Sequence, residues 1–315
     1  MENTAENNSL LVVENNILKG ITDKNISKIA LPSNIKEIAN NVFEGSNITE
    51  ITLNEGIETI GDACFLNSQI KNINFPSSLK HIGKAAFQDC TQLEKANLSK
   101  TAVEILSEGL FFDSGLKEIS LPSNLKEISN EVFCGTNNLH NIQIGKSTVI
   151  IGNKAFYQSG LTDITLHNNY LLIDHMAFGN CINLKNVNKV SDTGKNEGVI
   201  SSGAFYECTS LTEVTLPDNI TTLEGYTFIG CEKLQKISLP KSLKSIGDQG
   251  LRTNHDVQTI IFNSSDIPEM HNIHETTIPN VLPFVKNINE ILVPQQSVEE
   301  YKNRLSSYAN KIKGI

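Results

Sequence analysis

The sequence has no Trp and only three Met, and charged residues fill just 19% of its 315 positions. No apolar run exceeds four or five residues, far short of the roughly twenty that a membrane-spanning helix needs. The net charge is −9 and no cluster of Lys or Arg stands out. Phosphate recognition draws its affinity from such clusters, so no nucleic-acid partner is expected. No two of the six Cys lie closer than 23 residues, which excludes the paired thiolates of a zinc site. There is no His-Glu-x-x-His, no phosphate-binding glycine loop and no nucleophile elbow. The one local grouping of His, His271-Asn272-Ile273-His274-Glu275, falls short of a converging set of three or four ligands. No catalytic residue, cofactor or metal is therefore expected. The opening MENTAENNSLLVVENN has no basic segment followed by an apolar core, and no wall anchor is evident. On that ground the chain is expected to stay inside the cell or to be met in mature form.

What the sequence does have is repetition. Leu116 to Asn138, LKEISLPSNLKEISNEVFCGTNN, serves as the template. Its first apolar position recurs at Ile26, Ile48, Ile70, Leu93, Leu116, Leu139, Leu161, Leu184, Leu211, Leu234 and Val257, every 22 or 23 residues apart from one interval of 27. Apolar residues at +3 and +5, such as Ile51 with Leu53 or Ile237 with Leu239, share one face of a short strand. Pro32, Pro76, Pro122, Pro217 and Pro240 follow the strand, where a missing donor ends a ladder. A second apolar pair comes next, then a Phe in nine units (Phe43, Phe65, Phe87, Phe111, Phe133, Phe156, Phe178, Phe205 and Phe228), implying an aromatic spine. Three residues after each Phe stands only Ser, Thr or Cys, small groups able to donate to a backbone carbonyl in a buried turn. After Ser the next unit starts two residues later, and after Cys or Thr three residues later.

A period in the twenties with this spacing specifies a right-handed leucine-rich-repeat solenoid. It should be rich in parallel β-strand with short helical or 3-10 turns, in ten to eleven repeats of 22–23 residues. Residues 1–25 are expected to form an N-terminal cap, 26–262 the repeats, and 263–315 a C-terminal cap with a short helix. That helix should open at Ser297 with Glu300 as a capping box. In the unit from Leu93 the second strand is shifted by one residue, leaving its register open. The unit from Leu184 carries four extra residues around 189–198.

The unit L-x-x-I-x-L-P-x-x-L-x-x-I-G-x-x-A-F-x-x-C resembles the BspA-type leucine-rich repeat. The resemblance is carried by LPSNLKEIS at 121–129, FPSSLKHIGKAAFQDCTQL at 75–93 and LPKSLKSIG at 239–247, and the tail ILVPQQSVEEYKN at 291–303 is similar to an ending common in bacterial members. What the resemblance implies is a non-enzymatic surface protein that binds a host matrix or cell-surface protein. The alternative from the sequence is an intracellular scaffold or complex subunit. Two surfaces are candidates for the partner. The outward strand positions include Glu118, Asn141, Gln143, Asp163, Asn186, Asn188 and Glu213, a face suited to extended binding. That face has no aromatic residue and no Arg, the residues that dominate binding hot spots, and its Asn, Thr and Ser suit a solubilising ladder equally well. The insertion around 189–198 offers Lys189, Asp192, Lys195 and Glu197.

Overall fold

The computed structural model describes residues 9–190, 196–253, 257–271 and 288–315. The chain divides into two compact units, Met1–Thr148 and Val149–Ile315. In both, each repeat is one turn of a parallel β-solenoid.

In the first unit the strands Lys28–Ala30, Glu50–Thr52, Asn72–Asn74, Lys95–Asn97 and Glu118–Ser120 pair side by side in parallel, each with the strand one repeat away. A second row, Ile17–Ile21, Glu37–Ile38, Thr59–Ile60 and His81–Ile82, forms the opposite wall. Leu11–Glu14 pairs antiparallel with Ile17–Ile21 at the head of that row. Asn15 and Asn16 both take positive φ between them, as a two-residue turn of the primed type requires. In the unit with the shifted second strand, Ile105–Leu106 pairs with Glu127–Ile128. Leu106 is the inward residue there, and Ile105 is 49% exposed.

Proline does two jobs. Each of the five ends its strand, and its carbonyl accepts the N–H three residues on, as in Leu79 to Pro76 at 3.1 Å and Leu243 to Pro240 at 3.2 Å. The chain is thereby turned from one wall toward the other.

The turns around each Phe take a particular form. The residues two before and two after the ring have left-handed backbone: Asn41 and Gly45, Ala63 and Asn67, Ala85 and Asp89, then Lys154 and Gln158 in the second unit. Alternate N–H groups thereby point along the stack. Ala63, Phe65 and Asn67 donate to the carbonyls of Lys84, Ala86 and Gln88 at 2.8–2.9 Å. Each turn is thus stitched to the next by a third ladder beside the two strand walls. The cost is strain, because an L-residue in this region loses about 1–2 kcal/mol. Ala85→Gly should remove that cost and lose part of the gain to the unfolded chain's freedom. Urea denaturation should show it stabilising the first unit by roughly 0.5–1 kcal/mol, the reverse of a glycine placed in a strand.

The core follows from these walls. Phe43, Phe65, Phe87, Phe111 and Phe133 are fully buried, with successive rings stacked at 4.9, 4.9, 5.6 and 5.7 Å. In the second unit Phe156, Phe178, Phe205 and Phe228 stack at 5.1, 5.3 and 5.7 Å. Leu251 takes the ring's place in the next turn and is buried too.

The second unit repeats the plan, with Asp163–Leu166, Asn186–Lys189, Glu213–Thr215, Lys236–Leu239 and Thr259–Phe262 in one parallel sheet. That sheet does not stop at Phe262. Glu290–Val293 pairs with Thr259–Phe262, and Ile312–Gly314 pairs with Glu290–Val293, both in parallel. Between them lies the helix Val298–Arg304, entered through a 3-10 turn at Gln295–Ser297. Ser297 stands at its N-cap without a side-chain cap bond, so the expected capping box is not formed. The 3-10 turn already turns the chain into the helix, and Ser297 is buried.

Candidate functional site

The small residue after each Phe divides into two chemistries. Ser46 and Thr136 donate from their hydroxyls to the Phe carbonyl of their own turn, at 2.8 and 2.6 Å. The Cys thiols instead reach back one repeat, with Cys90 to Phe65, Cys181 to Phe156, Cys208 to Phe178 and Cys231 to Phe205 at 2.9–3.2 Å. Three Ser depart from both: the Ser68 and Ser159 hydroxyls lie 3.5 and 3.3 Å from the Cys90 and Cys181 sulfurs, and the buried Ser114 hydroxyl finds no partner among the described residues. The turn lengths have a matching cause. After Cys or Thr the chain closes a local turn, as in Leu93 N–H to the Cys90 carbonyl at 2.9 Å. After Ser it bonds straight to the previous repeat, as in Asn47 to Lys24 at 2.8 Å. One residue is saved.

All six Cys are free and buried. Burial pushes the thiols of Cys64, Cys181 and Cys208 far up, and that of Cys90 to about 11. Cys90, Cys181, Cys208 and Cys231 are donors, and a buried thiol with a raised pKa is a poor nucleophile. A thiol whose folded pKa lies above its unfolded value stabilises fully below about pH 8.5 and loses that contribution as pH rises. The native protein should therefore resist maleimide near neutral pH and lose stability between about pH 8.5 and 11. Unfolding in denaturant without reductant should release all six thiols to the reagent. Rapid labelling of the native chain would contradict the donor role.

The strand-face candidates are mostly held by a neighbour one repeat away. Glu118 pairs with Lys95 at 2.9 Å and holds that ammonium above its usual range. Asn186 donates to Asp163 at 2.7 Å, and Glu213 pairs with Lys236 at 2.5 Å. Asn188 is exposed in the strand Asn186–Lys189. Of the insertion, Lys189 pairs with Asp218 at 2.7 Å and Glu197 with Lys244 at 2.5 Å. Asp192 and Lys195 lie outside the described residues, as do His274 and Glu275. Exposed pairs of this kind add little stability; they set the pattern of the surface.

Asn141 and Gln143 do not lie in a strand. The alternation places Ile142 and Ile144 inward and both candidates outward. Alternation fixes which side chains are buried, not whether the backbone pairs. The segment forms no ladder with Glu118–Ser120, which is an edge strand of its sheet. Between the two lies an open groove, about 540 Å³ where Lys117–Ser120 face Asn138 and His140–Asn141. A further 360 Å³ lies where Ile119–Leu121 face Asn141–Gln143. No backbone hydrogen bond joins Ile119–Leu121 to Asn141–Gln143. Three candidates, Glu118, Asn141 and Gln143, thus meet along one groove in the first unit.

Sequence reasoning missed the outer side of the Phe turns in the second unit. Tyr157 and Tyr206 are half-buried there, and Tyr226 is 36% exposed. Their signal was an aromatic residue one after or two before a core Phe, a position taken for turn. Among the described residues no group of three or more His, Cys, Asp or Glu could hold a metal ion, and no helix is long and apolar enough to cross a membrane.

Comparison with known proteins gives a consistent picture. The family model "BspA type Leucine rich repeat region" matches in six copies, over residues 18–125, 104–196 and 194–292. No curated protein matches. A solved leucine-rich repeat protein from Bacteroides ovatus ATCC 8483 is 23% identical, with a TM-score of 0.54, covering 95% of this chain and 87% of that one. Another, from Eubacterium ventriosum ATCC 27560, is 20% identical with a TM-score of 0.50, covering 73% of this chain and 77% of that one. At this identity the likeness speaks for the fold.

Proposed function

The chain belongs to the BspA-type leucine-rich-repeat family, and on that footing we propose that it is a non-enzymatic protein-binding module displayed at a cell surface, in the manner of an adhesin. The observation that carries the reading is the groove between Glu118–Leu121 and Asn141–Gln143. The strand Glu118–Ser120 on one wall and the extended segment Asn141–Gln143 on the other share no backbone bonds, which suits an extended segment of another protein that would gain main-chain bonds from them. Alternating outward side chains would then set its specificity.

The repeating positions support the same division of labour. Phe, Pro, Ser, Thr and Cys are spent within the turns, so function falls to the surface between them. Two experiments test the reading. Protease added to intact source cells should digest the chain; full protection until lysis would sink surface display. Binding to a panel of matrix and cell-surface proteins should fall about tenfold when Asn141→Lys and Gln143→Lys crowd the groove, with Tm unchanged. Unaltered binding would move the site elsewhere.

A further inference from the structure

In the second unit a second depression, of about 370 Å³, opens beside Tyr226. Its lining includes Glu224, Tyr226, Asp248 and His271, with Ser202 and Ser245. Asp248 is the unusual member. It is only 7% exposed, yet among the described residues no cation pairs with it. Its Oδ2 accepts long bonds from the Tyr226 hydroxyl at 3.3 Å and the Gln249 amide at 3.2 Å. Its Oδ1 is buried and has no partner among the described residues. A buried carboxylate held only by neutral donors leaves its charge largely uncompensated.

Among the described residues the surroundings do not supply the missing charge. Glu224 adds a second, exposed carboxylate, whose Oε2 accepts the Ser202 N–H at 2.9 Å. Among the described lining residues His271 alone can become positive, and its Nε2 lies 3.8 Å from Glu269. Arg252 is outside the lining, with its guanidinium on Gln249 Oε1 at 2.5 Å. Tyr226 presents its exposed ring at the same mouth. The depression therefore combines an aromatic face, two carboxylates and hydroxyl groups, with an excess of negative charge.

We propose that this depression receives an arginine side chain of a protein partner. A guanidinium stacks on an aromatic face and carries five donors in a planar fork, so one group can use the Tyr226 ring and reach toward both carboxylates. A lysine ammonium is more strongly hydrated and offers no plane to stack. A sugar would bring hydroxyls and an apolar face but no charge for Asp248. The site is separate from the groove of the first unit and does not depend on it.

The test uses the full chain and the peptide Ac-Gly-Arg-Gly-NH2, with the citrulline peptide as its uncharged isostere. Titration followed by NMR should show the arginine peptide binding in the millimolar range, with shifts at the Tyr226 ring. The citrulline peptide should bind at least about tenfold more weakly, and raised salt should weaken the arginine peptide. Asp248→Asn keeps the size of the side chain and should lose about tenfold in affinity with Tm unchanged. Tyr226→Leu, at an exposed position, serves if the first variant fails to fold, and should also weaken binding. Absence of binding at millimolar peptide, equal affinity for citrulline, or an undiminished affinity in a folded Tyr226→Leu would overturn the proposal. So would preferential binding of methyl glycosides at the same residues.

Discussion

Phe87→Ala should destabilise the first unit by about 3–5 kcal/mol, read by urea or thermal unfolding. The ring is fully buried. It stacks on Phe65 at 4.9 Å and Phe111 at 5.6 Å, and meets the edge of Phe75 at 5.7 Å. Removing it opens a cavity lined by parts of three successive turns, and backbone ladders on every side keep those turns from collapsing inward. Phe43, which has a stacking neighbour on one side in Phe65, should cost less than Phe87 when truncated. Equal losses at the two positions would mean that stacking between turns adds nothing beyond burial. A loss at Phe87 below about 1 kcal/mol would mean that the column is not core.

Tyr301→Ala should be as costly to the second unit, at about 3–5 kcal/mol. Tyr301 is fully buried at the end of the stack, its ring 5.3 Å from that of Phe262. Its hydroxyl donates to the carbonyls of Ser264 and Asp266 at 3.1 and 3.3 Å. The residue ties the helix Val298–Arg304 to the loop behind the strand Thr259–Phe262. Tyr301→Phe keeps the ring and strands both carbonyls, a loss of roughly 1–3 kcal/mol. Burial pushes the phenol well above its ordinary value. Its contribution is therefore complete below about pH 10 and is lost as pH rises further. Tyr301→Phe should lose less stability than the parent across that alkaline window.

The strands and the Phe column were legible because both depend on side-chain burial, and burial leaves a periodic trace. Ile51, Ile73 and Ile164 mark the strands wherever the spacing holds, and Phe133 sits where the period puts it. The left-handed pairs were not legible. Asn41, Ala63, Glu131, Met176 and Tyr226 all adopt the same backbone and share no side-chain chemistry, since the ladder there is made by main chain alone. The last two strands left no periodic trace for another reason. Ile291 and Ile312 keep the inward register, but a helix and irregular segments replace the spacing that identifies a repeat. Ser297 and Glu300 carry the capping pattern without forming it, because the preceding 3-10 turn sets the entry to the helix.

The candidate surface was legible only in part. Outward positions such as Glu118, Asn141 and Gln143 follow from alternation. Their meeting along a groove does not, because it depends on a ladder that stops. The depression at Tyr226 and Asp248 was hidden more deeply. Asp248 occupies the same place in its turn as Asn40 and Asp62, whose side chains accept the N–H groups of Asp62 and Lys84 one repeat on. A residue type that is structural twice gave no hint of an unsatisfied carboxylate.

The central claim is that each Phe turn is joined to the next by a backbone ladder of its own, a third beside the two strand walls. Amide hydrogen exchange tests it most directly. Ala63, Phe65 and Asn67, and likewise Ala85, Phe87 and Asp89, should be protected to nearly the same degree as the strand amides of the first unit, since each donates to the following turn. Exchange at these positions as fast as in surface loops would contradict the account, leaving the turns held by side-chain packing alone.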